Sequence, residues 1–126
     1  MSCRYVIDKE RRLIITVGEG RVNFVDVLHH QNRLLNDSEF DPNFNQLIDL
    51  STAVKVDISA AEGKILAERS VVSSSSRRAL VTRSPIVHSW ARLVQYYHGA
   101  RSSVHVFFDR DGALRWLGLT EQSGLY

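Results

Sequence analysis

Phe44-Asn45-Gln46-Leu47-Ile48-Asp49-Leu50-Ser51-Thr52, followed by Ser59-Ala60-Ala61-Glu62, is the stretch from which the fold is read. Phe44 to Leu50 predicts a strand, most clearly at the apolar run Leu47-Ile48-Asp49-Leu50. Ser51-Thr52 opens a loop that runs to Asp57. Ser59 with Glu62 three residues on forms a capping box, which predicts a helix through about Arg69. Strand, loop and helix in that order are the first part of a crossover unit, and the pattern recurs on both sides.

Toward the N-terminus, Tyr5-Val6-Ile7 and Arg12 to Val17 read as two strands of a hairpin, joined by the polar turn Asp8-Lys9-Glu10-Arg11. Gly18 and Gly20 are expected to end the second strand. Asn23 is a helix N-cap with Asp26 in the capping-box position. Phe24, Val27, Leu28, Gln31, Leu34 and Leu35 follow at helical spacing, with Gln31 the one polar interruption. Phe40-Asp41-Pro42-Asn43 then makes a turn. Toward the C-terminus, Ser73 to Ser76 is a polar linker and Arg78 to Thr82 a fourth strand. Ser84-Pro85 starts a third helix whose apolar face is Ile86, Trp90, Leu93, Val94 and Tyr97, with Gly99 as its stop. Val104 to Phe108 is a fifth strand, and Asp109 caps a last helix carrying Ala113, Leu114, Trp116 and Leu117, ended by Gly118. The order β-β-α-β-α-β-α-β-α predicts an α/β fold: a five-stranded mixed sheet with about four helices.

With 126 residues, one domain spanning 1–126 is expected, with its core at about 5–118. Apolar residues make up 44% and charged residues 24%, ordinary proportions that exclude wholesale disorder. The net charge of +2 comes from scattered basic residues, so no nucleic-acid partner is expected. Cys3 is the only cysteine, which excludes an internal disulfide and a Cys-based zinc site. No apolar run reaches the length of a membrane span and the N-terminus lacks a signal core, so the expected location is cytoplasmic.

The order of elements resembles the STAS domain, the fold of bacterial anti-sigma-factor antagonists, and more specifically a group of small SpoIIAA-like bacterial proteins of unknown function. The likeness is carried by Tyr5-Val6-Ile7-Asp8, by Phe40-Asp41-Pro42 before Leu47-Ile48-Asp49, by Arg78-Ala79-Leu80-Val81, and by Val106-Phe107 before Trp116-Leu117-Gly118. In STAS antagonists a loop Asp-Ser-Ser-Gly presents its second serine to a kinase at the start of a helix. The counterpart here is Asp57-Ile58-Ser59-Ala60, in which Asp57 and Ser59 match while Ile58 and Ala60 depart. The resemblance implies a non-catalytic regulatory or protein-interaction module whose partner is a regulatory kinase or a sigma-regulator-like protein. It makes Ser59 a candidate phosphorylation site.

The residues themselves support two readings at Ser59: a phosphate there would meet free backbone N–H groups and the positive end of the helix dipole, and the serine alone serves as the N-cap. Asp49, at the carboxyl end of the central strand, would line a polar groove with Ser51 and Asp57, or bond its own backbone in a turn. The histidines give no metal pair, since His29 and His30 diverge by about 100° and no His-x-x-x-His occurs. Asp109-x-Asp111-Gly112 fails the register of a calcium loop. No P-loop, dinucleotide fingerprint or nucleophile elbow is present, so no cofactor is expected. Two further function classes stay open. One is a binder of a small apolar, lipid-like ligand in a cavity lined by Phe24, Leu28, Trp90 and Leu93. The other is an enzyme built on Asp49, a histidine and an arginine. A homodimer is compatible with so small a domain.

Overall fold

The computed structural model describes residues 2–69, 71–73, 75–98 and 104–119. Strands β1 (Cys3–Asp8) and β2 (Leu13–Asn23) form an antiparallel hairpin. Its turn is fixed by Asp8, whose carboxylate accepts from the Arg11 backbone N–H and pairs with the Arg11 guanidinium at 3.0 Å. Arg12 adopts φ 54°, the left-handed conformation that brings the chain back into register. Helix α1 (Phe24–Leu35) leads to β3 (Asn45–Asp57), α2 (Ala60–Glu68) to β4 (Arg78–Val81), and α3 (Pro85–His98) to β5 (Val104–Phe107), before α4 (Arg110–Trp116). The strands stand in the order β1-β2-β3-β4-β5, parallel from β2 onward. The mixed five-stranded sheet with four helices is the expected architecture.

Because each crossover moves one strand further in the same direction, right-handed connections put α1, α2 and α3 on one face. The cores agree with this. Val27 of α1, Leu66 of α2 and Val87 and Ala91 of α3 meet Leu50, Leu80 and Val104 on one side of the sheet. On the other side Ala113, Leu114 and Leu117 cover Leu13, Ile15, Leu47, Ala79 and Val81. Side-chain alternation therefore assigns Thr16, Gln46, Ile48 and Arg78 to the three-helix face, and Leu47 and Asp49 to the α4 face.

All four helix starts read from the sequence are present. Asn23 and Asp26 close a reciprocal capping box, Ser84 Oγ accepts from the Val87 N–H, and Asp109 accepts from the Gly112 N–H. Ser59 and Glu62 close the fourth, at 2.9 and 3.1 Å.

Three expectations are corrected. First, β2 does not stop at Gly18 and Gly20. It runs on to Asn23 through two irregularities, between Val17 and Glu19 and between Gly20 and Arg21, with Gly20 at φ 61°. The extra residues belong to β3: Gly18 stands opposite both Leu50 and Ser51, and Val54 is inserted opposite the Gly20–Arg21 step. Second, Ser51 to Asp57 is strand rather than loop, because the continuing β2 pairs with Thr52, Ala53, Lys55, Val56 and Asp57. Third, the stripe of α3 is displaced by one residue. Val87 and Ala91 are fully buried, whereas Ile86 and Leu93 are exposed. A shift of one residue turns a helix by about 100°, and apolar neighbours make the two stripes alike in sequence. Leu35 of α1 likewise points to solvent, while His30 and Gln31 are buried. Gly99, the side chains of Val94 and Tyr97, and the tail beyond Leu119 lie outside the described residues.

Candidate functional site

A cavity of about 140 Å³ lies between the sheet and helices α1, α2 and α3. Its walls are mostly apolar: Val22, Ile48, Leu50 and Leu80 from the strands, Val27 and Leu66 from α1 and α2, and Trp90 from α3. Of the four residues expected to line such a space, Trp90 does so. Phe24 and Leu28 lie outside the lining and are half-buried, and Leu93 faces solvent. They occupy flanks of their helices that miss the cavity.

The cavity also has a polar wall, and β2, β3 and α1 build it together. Thr16, Gln46, His30 and Gln31 are all buried and all line it. Gln46 Nε2 donates to Thr16 Oγ1 at 2.9 Å, and Thr16 Oγ1 lies 2.9 Å from His30 Nε2. The chain closes without a surplus proton when the Thr16 hydroxyl donates to Nε2 of a neutral ring. Burial, with a smaller contribution from the Arg33 cation, pushes the His30 pKa down to about 4. Tyr5 sets the ring orientation by an edge contact at 5.6 Å, and is itself held by a 2.8 Å bond to Asp37 Oδ2. Arg78 of β4, beside Gln46 in register, lines the same wall, and burial lowers its pKa to about 10. Cys3 of β1 is buried in the wall, and desolvation raises its thiol pKa.

The pairing of a hydroxyl with an imidazole has the outline of a nucleophile and its base. Its chemistry is different here. A histidine near pKa 4 is a weak base at neutral pH, and the Thr16 oxygen is already engaged by Gln46. These two features make Thr16 and His30 a poor nucleophile–base pair.

The residues singled out in sequence fall into two separate places. Asp57 ends β3 and is exposed, with Arg21 and Lys55 at 3.9 and 4.0 Å. Ser59 is exposed one turn away as the cap of α2, and buried Ile58 between them anchors the helix to the core. Asp49, by contrast, is buried in the middle of β3 on the α4 face, and its Oδ1 accepts from the backbone N–H and hydroxyl of Ser51. Asp49 and Asp57 pair with Val17 and Asn23, six residues apart on β2, which sets them roughly 20 Å apart along the sheet. The expected groove joining Asp49, Ser51 and Asp57 therefore does not form. The reason is the unanticipated length of β3, which moves the strand's carboxyl end from Leu50 to Asp57. Among the described residues no hydrogen bond links a histidine to Asp49, and no group of three or more His, Cys, Asp or Glu side chains is placed to hold a metal ion. Among the described residues no helix is long and apolar enough to cross a membrane.

Sequence reading missed the polar wall. Its traces were the interruption of the α1 stripe by Gln31 and the inward-facing register of Thr16 and Gln46. Gly63 was missed as well: it is buried in α2 and lines the cavity.

No protein-family model matches the chain, and no curated protein matches it in sequence. Among solved structures it is similar to an uncharacterized protein of the DUF3478 family from Shewanella loihica PV-4, described as having a SpoIIAA-like fold. The TM-score is 0.65 at 15% identity, over 92% of this chain and 93% of that one. With its strand order, its three helices on one face and α4 on the other, this chain has the STAS-type, SpoIIAA-like fold.

Proposed function

We propose that this chain is a non-catalytic, cytoplasmic binding module that holds a small, largely apolar molecule in the cavity between its sheet and α1, α2 and α3. The observation that carries the reading is a space of about 140 Å³ with apolar walls and one polar side. The size also restricts the ligand. A cavity of about 150 Å³ admits benzene, so this one takes a single ring or a short branched chain rather than a long acyl chain. Native mass spectrometry of the protein purified from its source tests the reading. A non-covalent adduct is expected on the wild type and absent from Gly63→Leu, whose side chain would project into the space. The same bare mass for both proteins, with no small molecule protecting either from thermal unfolding, would refute it.

A second reading, a protein-interaction module switched by phosphorylation, is favoured by the exposure of Ser59 at the start of α2. Its partner would be a regulatory kinase or a sigma-regulator-like protein. A phosphate on Ser59 would stand against Glu62, whose carboxylate accepts from the Ser59 backbone, so modification would break the capping box and alter that surface. Affinity capture with Ser59→Ala and Ser59→Asp distinguishes the states. A partner that keeps the first and loses the second supports the switch, and equal capture by both refutes it.

A further inference from the structure

The wall of the cavity is charged, and the charge has one sign. Among the described residues that line it, Arg78 is the one arginine or lysine, and there is no aspartate or glutamate. Burial lowers the Arg78 pKa to about 10, which leaves the guanidinium protonated at neutral pH. The other titratable groups of the wall stay neutral there. His30 is held near pKa 4, and the Cys3 thiol is pushed up by desolvation. Hydrogen bonds to neutral groups orient a guanidinium without removing its charge, so the lining is net positive.

The register of the sheet places that charge at one end. Arg78 pairs with Gln46, and Gln46 with Ile14, near the starts of three parallel strands. Two positions on stand Thr16, Ile48 and Leu80, and beyond them Leu50, Val22 and Val56. Polarity therefore falls along the cavity floor, from Gln46 and Arg78 to a fully apolar end. The roof is open in the same sense. Gly63 is buried in α2 and lines the cavity, although glycine inside a helix is less favourable than alanine. It is not among the positive-φ glycines, and a Cβ built on it meets nothing within 4 Å. What the missing side chain preserves is space.

We propose that the cavity binds a compact monocarboxylate, an acid of one ring or one short branched chain, with its carboxylate at the Arg78 end and its apolar body against Leu50, Leu80 and Trp90. This rests on the cavity reading above and adds the ligand's charge to it. The volume of about 140 Å³ sets the size of the body. The planar fork of a guanidinium matches the two oxygens of a carboxylate. Folding has already stripped water from this cation, so an anion meets it in a wall of low polarity, where their attraction is stronger than in water. The apolar end offers a charge nothing in return for its hydration, which fixes the orientation of the ligand. A second negative charge would find no second cation among the described lining residues, which makes the ligand a monoanion.

Benzoate and benzamide are matched in size and shape and differ in charge, which makes them the probes. Binding to the full chain at pH 7 is followed by backbone amide shifts in NMR titrations of wild type, Arg78→Met, Arg78→Lys and Gly63→Leu. Methionine keeps much of the side chain's length and removes its charge, and lysine keeps the charge. Saturable shifts are expected at the cavity residues of the wild type, with benzoate bound about tenfold or more tighter than benzamide, the excess of a charge-assisted over a neutral hydrogen bond. That preference is expected to vanish in Arg78→Met, while benzamide still binds, and to persist in Arg78→Lys. Gly63→Leu is expected to bind neither probe. Equal affinity for the two probes in wild type, or a preference that survives in Arg78→Met, overturns the charge assignment and leaves the cavity reading standing. Where Arg78→Met fails to fold, Arg78→Lys decides, and equal affinity there overturns the assignment in the same way. Absence of saturable binding of either probe by wild type, or binding by Gly63→Leu that matches it, overturns both.

Discussion

Lowering the pH puts a charge on His30, and the structure sets the consequence. The ring is 5% exposed, sits between Tyr5 and Thr16, and has its pKa pushed down to about 4 by burial first and by Arg33 second. In the unfolded chain the same group titrates near 6.5. Between these values the unfolded state binds a proton that the folded state refuses. The stabilisation is therefore complete above pH 6.5, is lost progressively as the pH falls toward 4, and changes no further below that. A separation of about 2.5 pH units corresponds to about 3 kcal/mol, of which about 2 kcal/mol is gone by pH 5. That is a large share of the roughly 5–15 kcal/mol that stabilises a typical domain.

Urea unfolding at pH 7, 5.5 and 4.5 measures the loss, and His30→Gln isolates it. Glutamine can still meet Thr16 but does not titrate. Carboxylates weaken both proteins alike in acid, so the difference between their pH profiles belongs to His30. The wild type is expected to lose about 2 kcal/mol more than His30→Gln between pH 7 and 5. Parallel profiles, or an NMR titration of the His30 ring with a midpoint near 6.5, would refute the reasoning.

Three further outcomes follow from the same contacts. Thr16→Val keeps the shape of the side chain and removes the oxygen between Gln46 and His30. It should cost about 2 kcal/mol or more by chemical denaturation, and a change under about 0.5 kcal/mol would mean that the buried chain contributes nothing. Ser59→Ala deletes one half of the α2 capping box and should cost about 1 kcal/mol, seen as a lowered Tm, with no effect expected on the affinity of a cavity ligand. Gly63→Ala meets no neighbour within 4 Å and should stabilise by about 0.5–1 kcal/mol, and a loss of stability would show that the roof is tighter than its geometry indicates.

What could be read in the sequence was whatever depends on neighbours along the chain. Caps are local, since Asn23 with Asp26, Ser59 with Glu62, Ser84 with Pro85, and Asp109 each act within four residues, and all mark helix starts in the structure. The alternation of strands and helices was legible for the same reason, and with it the mixed sheet. Features that depend on the strand next door were not. Gly18 and Gly20 look like an ending until β3 is laid beside them, and Ser51 to Asp57 looks like a loop until β2 continues past them. That one error of extent moved the end of β3 and with it the supposed groove at Asp49. The stripe of α3 was placed one residue off because Ile86 and Val87 are interchangeable in any pattern of apolar residues.

The polar wall was illegible for a different reason. Thr16, Gln46, His30 and Gln31 come from three elements, and no spacing along the chain relates them. Each taken singly has an ordinary explanation: a threonine in a strand, a glutamine near a strand start, a histidine and a glutamine on a helix. Together they put four polar side chains on the buried face where β2, β3 and α1 meet, where apolar residues would be more economical for folding. Three of the four satisfy one another, which rigidifies the wall. The fourth, Gln31, is left with an acceptor unserved, and across the same space α2 carries a glycine that its backbone does not need. Local rules of sequence and structure agree almost everywhere in this chain, and they fail on two sides of one cavity. Such concentrated failures are expected where a fold has been shaped to hold something. The exposed Ser59 surface breaks no such rule, because its serine is fully accounted for as a cap. That difference is the physical reason for giving the cavity precedence over the helix start.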